Sequence, residues 1–421
     1  MDTASTATAT ATATGTDRDA EAFETIDGAL KDGGPGEALG RLVVLMEARE
    51  EARGLLDALL LKARHDLGLP LIPSGGLADL PEPVRSQYEE RYVEAIRRVG
   101  GRLLEAGEIA AAWPYYRAIG ETGPVVQAID AFDPAATADE RLGQVVDVAF
   151  NQGAHPARGF ALILEHYGAC SAITAFEHLP PDAATRLACA DRLVRHLHAQ
   201  LAASLRGEIA RRGQPAPPEG TGLPGLMAGR DWLFAEDAYH LDVSHLGAVV
   251  RLAPILEDPG TLALAVELTD YGRKLSDRHK YEGEPPFERT YEDHGLYLGA
   301  LIHRDVDAAL AAFRGKLPLP PPAPEGSFED SLPAQVFVRL LARLGLLEEA
   351  IEVAGAHLRG RPESALICPG LAELCRRAGR PDRLAQLSRD HGDLVNYAAA
   401  ILQRSAGAGA VASKAAEETA K

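Results

Sequence analysis

Cysteine is scarce in this 421-residue sequence. Cys170, Cys189, Cys368 and Cys375 are too few and too scattered for a disulfide framework, so the expected compartment is a reducing one. Aromatic residues make up 5% of the chain, and strict apolar/polar alternation hardly persists beyond four or five residues, which argues against a β-sheet protein. Positive charge is also short: 43 Lys and Arg stand against 61 Asp and Glu, for a net charge of −18. Such a surface repels phosphate backbones and anionic lipid, so neither nucleic acid nor a membrane surface is an expected partner. No run approaches the roughly 18 uninterrupted apolar residues of a membrane span. Met1 to Thr16 carries neither a basic region nor a Leu-rich core, so no signal peptide is expected and the location should be cytoplasmic.

What is present points to helix. Ala and Leu dominate, and a hydrophobic fraction of 46% supplies a core. Leu193, Leu197, Leu201, Leu205 and Ile209 recur every fourth residue, so one long helix is expected from about 181 to 212, ending at Gly213. Two breakers, QPAPPEGTGLPG from Gln214 and KLPLPPPAPEG from Lys316, divide the body. The expected organisation is a disordered Thr/Ala tail at 1–18, helical blocks at 19–213, 228–315 and 327–404, linkers at 214–227 and 316–326, and a disordered tail at 405–421.

Near the C-terminus Gly345 and Gly379 stand 34 residues apart, and aligning them places Leu341 on Cys375, Ala350 on Leu384 and Ala354 on Ser388. The stretch LARLGLLEEAIEVAGAHL, Leu341 to Leu358, with Gly345 before the turn, Ala350 five residues on and Pro362 closing the unit, resembles a tetratricopeptide repeat. A glycine at the turn lets two antiparallel helices meet closely, and a small residue early in the second avoids a clash. Similar helix, turn, helix patterns occur at 31–45, 101–119 and 300–314. The resemblance implies an all-α helical-hairpin array, an α-solenoid, that binds a protein or peptide partner on its surface.

Residues that carry chemistry concentrate in the middle block. In DWLFAEDAYHLDVSH, Asp231 to His245, a helix would place Asp237 and His240 on one face and Asp242 and His245 on another, each Asp able to orient a His three residues on. Tyr291 to His303 adds Glu292, Asp293, His294 and His303, and helix packing could bring His240 or His245 near His294. Elsewhere, Gly168 should end a helix and place Cys170 near the start of the next, where a helix N-terminus favours thiolate, with His155 or His166 as base. Against this, Cys375 takes a core position in the repeat register, His196 and His198 diverge around their helix, and the glycines at 33, 34 and 36 lack the context of a phosphate loop.

Two readings follow. The first is a non-catalytic interaction or scaffold module with no cofactor. The alternative is an enzyme of the middle block, dependent on a divalent metal held by His240, His245 and His294 or on acid/base work by these groups with Asp237 and Asp242.

Overall fold

The computed structural model describes residues 4–403 apart from 73–74, 77–78, 137, 216 and 320–327. The described residues are all-α: no strand occurs among them, only an isolated bridge between Glu282 and Arg289. The tail at 405–421 and most of the Pro-rich connector lie outside the described residues. The first helix is bounded at Ala4, within the segment expected as a tail, and the side chains of 1–18 also lie outside.

The chain packs as two compact units, Met1–His166 and Tyr167–Lys421. The linkers expected at 214–227 and 316–326 therefore both fall inside the second unit. In the first unit α1 (Ala4–Ala48), α2 (Ala52–Asp66), α3 (Val84–Glu105), α4 (Ile109–Ala118) and α5 (Gly123–Ala131) pack each on the next, followed by α6 (Asp139–Val146). α1 breaks at Gly34 (φ 76, ψ −170), just before Pro35. The seam between α1, α2 and α3 is a cluster of Val43, Leu55, Ala58 and Val99, flanked by Leu42, Met46 and Leu103. α7 (Pro156–Glu177) has the length and composition of a membrane-crossing helix, but its backbone leaves the helical region at Gly168 (φ 81), where the sequence places a break.

The second unit is built on α8 (Ala183–Arg211). Asp182 caps its first turn by accepting from the Thr185 N–H at 2.8 Å, and the every-fourth stripe from Leu193 to Ile209 is fully buried. At about 1.5–3 kcal/mol for each buried aliphatic side chain, that stripe accounts for the helix far better than propensity does. Against α8 pack α9 (Leu223–Met227), α10 (Val243–Leu252) and α11 (Pro259–Lys274). The segment 214–227 is thus no free linker. Leu223, Leu226 and Met227 are buried, and the Arg206 guanidinium holds the carbonyls of Pro217, Pro218 and Thr221. Apolar side chains among its prolines and glycines dock it.

α12 (Thr290–Leu301) lies on α11, and α13 (Val306–Gly315), α14 (Phe328–Arg343), α15 (Leu347–His357), α16 (Leu371–Arg377) and α17 (Pro381–His391) follow as neighbouring pairs. Gly345 and Gly379 adopt the left-handed conformation (φ 74 and 66), which a glycine enters without a Cβ clash. The residue after each closes the same helix-ending bond, Leu346 N–H to the Leu341 carbonyl at 2.9 Å and Arg380 N–H to the Cys375 carbonyl at 2.8 Å. Gly107 with Glu108 and Leu103 repeats it in the first unit, and His303 with Arg304 and Gly299 does so between α12 and α13. Ala350 and Cys375 are fully buried, in keeping with the 34-residue register.

Candidate functional site

The stretch Asp231 to His245 is not one helix. Asp231–Asp237 forms a tight 3-10 segment in which Glu236 and Asp237 are left-handed (φ 55 and 58), and the chain then runs extended through Ala238. Asp242 explains the interruption: a short carboxylate is worth more as an N-cap than in a helix interior. It accepts from the Ser244 N–H at 2.8 Å, the Ser244 hydroxyl at 2.6 Å and the His245 N–H at 3.4 Å, and so begins α10. The Ser244 hydroxyl and these amides hold its carboxyl below the usual range. Asp242 therefore orients backbone, and its contact with His245 is through the main-chain N–H. Asp237 pairs instead with Arg278 at 3.2 Å, while its carbonyl meets His279 Nε2 at 3.0 Å.

His240 is half-buried against Tyr271, whose hydroxyl oxygen accepts from the His240 N–H at 2.8 Å and lies 3.2 Å from Nδ1. Burial lowers the imidazole pKa, with Glu208 acting in the opposite direction, and pushes the Tyr271 hydroxyl up to about 12. His240 and Asp242 line a cavity of about 590 Å³ whose wall includes Trp232, with the Arg212 guanidinium 4.5 Å above its ring.

His294 lies on α12 in a different cavity, of about 560 Å³. It is 3% exposed, and its Nδ1–H donates to the Thr290 carbonyl at 2.7 Å. Burial drives its pKa down to about 4, helped by the positive charges of Arg251 and Lys316 and opposed by the Thr290 bond and Asp293. The ring stacks on Phe287 at 4.0 Å, and Phe287 meets Tyr297 and Phe313 edge-on at 5.8 and 5.6 Å.

Phe287 belongs to the loop Tyr281 to Thr290, which forms the lip of this cavity. The loop is closed by Gly283 N–H to the Glu288 carbonyl (2.8 Å) and by the Thr290 hydroxyl to the Tyr281 carbonyl (2.9 Å). Lys316 clamps it from below. The three N–H donors of its ammonium reach the Pro286 carbonyl (2.5 Å), Glu288 (2.6 Å) and the buried Asp293 (2.8 Å). Asp293 in turn accepts from the Arg289 N–H at 2.9 Å and so closes the start of α12. Arg343, from α14, spans the Pro254 and Leu256 carbonyls at 2.9 and 2.5 Å. Lys316 thus ties the lip to α12, and Arg343 ties α14 to the segment that follows α10.

The structure thus places His240 and Asp242 on one cavity, His294 on another, Asp237 in a surface ion pair and His245 beside the cap of α10. Among the described residues no group of three or more His, Cys, Asp and Glu side chains is arranged to hold a metal ion. The anticipated convergence fails because 231–245 is not one helix, and His240 and His294 line separate cavities. Cys170 is exposed just past the break at Gly168, and His155 is occupied by Asp130 at 3.0 Å.

Sequence reasoning missed Lys316, Arg251 and Arg339, and also the part-buried contact of His198 Nε2 with Glu267 at 2.8 Å, where Glu267 also holds the Leu223 N–H. The partners in these contacts stand up to 69 positions apart, and no local spacing signals them. Comparison with protein-family models, with curated proteins and with solved structures finds no match to this chain.

Proposed function

We propose that this chain is a non-catalytic interaction module, a tetratricopeptide-like array of helical hairpins that binds a protein partner on its helical surface. The observation that carries the reading is the recurrence, 34 residues apart, of one turn geometry at Gly345 and Gly379, with α14 to α17 packed each on the next. A unit of this kind cannot bury both faces of its helices by itself, so stacked hairpins leave an extended surface for another chain. The helical stretch Leu394–Gln403, which follows α17, adds an apolar patch: Leu394 and Val395 are each 79% exposed. His240 and His294 line separate cavities, which weighs against the three-histidine metal alternative.

The test is comparative. Proteins captured from the native host's lysate by the wild-type chain, and not by a Leu394→Asp, Val395→Asp variant, are purified and titrated against both forms. A purified partner that binds the wild type and loses about tenfold or more in affinity with the variant is the expected result. Absence of any purified partner with saturable binding overturns the reading.

A further inference from the structure

We propose that the cavity between the lip at 282–287, α12 and α14 is a binding site for a small carboxylate with an apolar body. Two arginines are among the residues that line it, Arg251 from α10 and Arg339 from α14. Neither makes an ion pair or hydrogen bond with the described residues. Their neighbours in the same unit are engaged: Arg195 with Asp258, Arg304 with Asp270 and Arg314 with Glu349. In a chain with a net charge of −18, two arginines without a carboxylate partner in one cavity stand out, because a guanidinium is matched in shape and charge to a carboxylate fork.

A third positive charge stands behind the wall. Arg343 is committed to backbone carbonyls, and burial together with the charge of Arg339 lowers its pKa. The same field reaches the cavity floor: Arg251 depresses the pKa of His294, and Arg339 and Arg343 both act to lower that of Tyr297 against the effect of its burial. Glu282 and Glu284 also line the opening, but both are exposed on the lip and neither pairs with either guanidinium.

The rest of the lining suits a hydrocarbon body. Ile255, Phe287, Leu332, Val336 and Ile367 surround the space, and Ile367 is 42% exposed with nothing covering it among the described residues. About 560 Å³ lies in the range of roughly 300–1,000 Å³ that encloses small organic ligands. The Lys316 clamp keeps the lip in place, so the site is preorganised and loses little entropy when filled. This inference does not depend on the partner-binding reading, since the Leu394–Gln403 patch and the cavity share no residue.

The experiment is isothermal titration calorimetry of the full chain with decanoate below its micelle concentration, with decanamide as a neutral isostere and decyltrimethylammonium as a cation. Saturable one-to-one binding is expected, with decanoate preferred over the amide by about tenfold or more, as a bidentate guanidinium contact implies, and with no saturable binding of the cation. An Arg251→Gln, Arg339→Gln variant should keep the thermal midpoint of the wild type and bind decanoate no better than decanamide. Equal affinity for acid and amide, a preference that survives in the double variant, or absence of saturable binding each overturns the proposal. Should the double variant fold poorly, Arg251→Gln alone and Ile367→Trp, both at solvent-accessible positions, carry the test. Each should weaken decanoate, and unchanged affinity in both overturns the site.

Discussion

Helices α14 to α17 and helices α10 to α12 belong to one compact unit and bury different chemistry. The hairpins close on Leu340, Leu341, Ala350, Ile351, Leu374 and Cys375. There Gln335 donates to the Ser331 hydroxyl and accepts from the Ile367 N–H, both at 2.9 Å, and the one buried imidazole, His357, leaves its Nδ1 without a partner among the described residues. Around α12 the interior instead contains a carboxylate, an imidazole and three phenols, Asp293, His294, Tyr271, Tyr291 and Tyr297. The Tyr291 hydroxyl and one oxygen of Asp293 lack a hydrogen-bond partner among the described residues. Buried apolar surface stabilises at any pH, whereas buried ionisable groups stabilise only while their partners and protonation states are right. Both regions should therefore respond to shape, and the α12 region to charge as well.

The largest expected contrast is between two ion pairs. Lys316→Met leaves the Asp293 carboxylate, 1% exposed, without its ammonium, and should cost about 3–5 kcal/mol in urea unfolding. Arg380→Met removes the exposed contact with Glu348 in the hairpins and should leave the urea midpoint unchanged within error, as exposed pairs contribute little. Equal effects would erase the distinction.

Next is pH. The His294 imidazole titrates near 4 when folded, against an ordinary value near 6.5, so between those values the unfolded chain holds a proton that the folded chain does not. Stability is then full above about pH 6.5, declines as pH falls, and levels off below about 4, a total of about 3 kcal/mol at ~1.4 kcal/mol per unit. A His294→Gln variant should lose this portion of the slope in urea titrations between pH 7 and 4. His357, at the end of α15, is also lowered by burial, so the comparison of variant with wild type, and not the slope alone, isolates His294.

Shape is tested by two overpacking substitutions. Ala350→Phe in the α14–α15 contact should cost about 1–3 kcal/mol or more and lower the melting of the C-terminal hairpins first. Gly272→Ala should be as damaging near the site, because a Cβ there collides with the ring of Tyr291, again about 1–3 kcal/mol by calorimetry. A stable Ala350→Phe protein would show the hairpin register to be wrong. The smallest effect belongs to Asp242→Ala, which removes the cap of α10 for about 1 kcal/mol. A much larger change would return Asp242 to the orienting role that its spacing from His245 first suggests.

Part of this arrangement was legible in advance. The stripe from Leu193 to Ile209, the break at Gly168, the end at Gly213 and the turns at Gly345 and Gly379 all follow from signals within a few residues of one another. Of the candidate site, the identity of the titratable residues was legible, and their grouping was not. Asp242 reads equally well as the orienting partner of His245 or as the cap of α10, and the competition between those uses is settled by packing. Pro and Gly in 214–227 suggest a free linker until Leu223, Leu226 and Met227 find apolar neighbours.

The division has a physical origin. Helix hydrogen bonds run from each N–H to a carbonyl four residues back, and a left-handed glycine ends them over five residues, so the sequence alone determined an all-α chain and the position of its hairpin turns. Which side chains face one another across helices depends on crossing angles and on contacts such as Lys316 with Asp293, His198 with Glu267 and Arg343 with Pro254. Those contacts join residues that the chain keeps far apart, and only tertiary packing could bring Arg251, Arg339 and His294 to a single cavity while sending His240 to another.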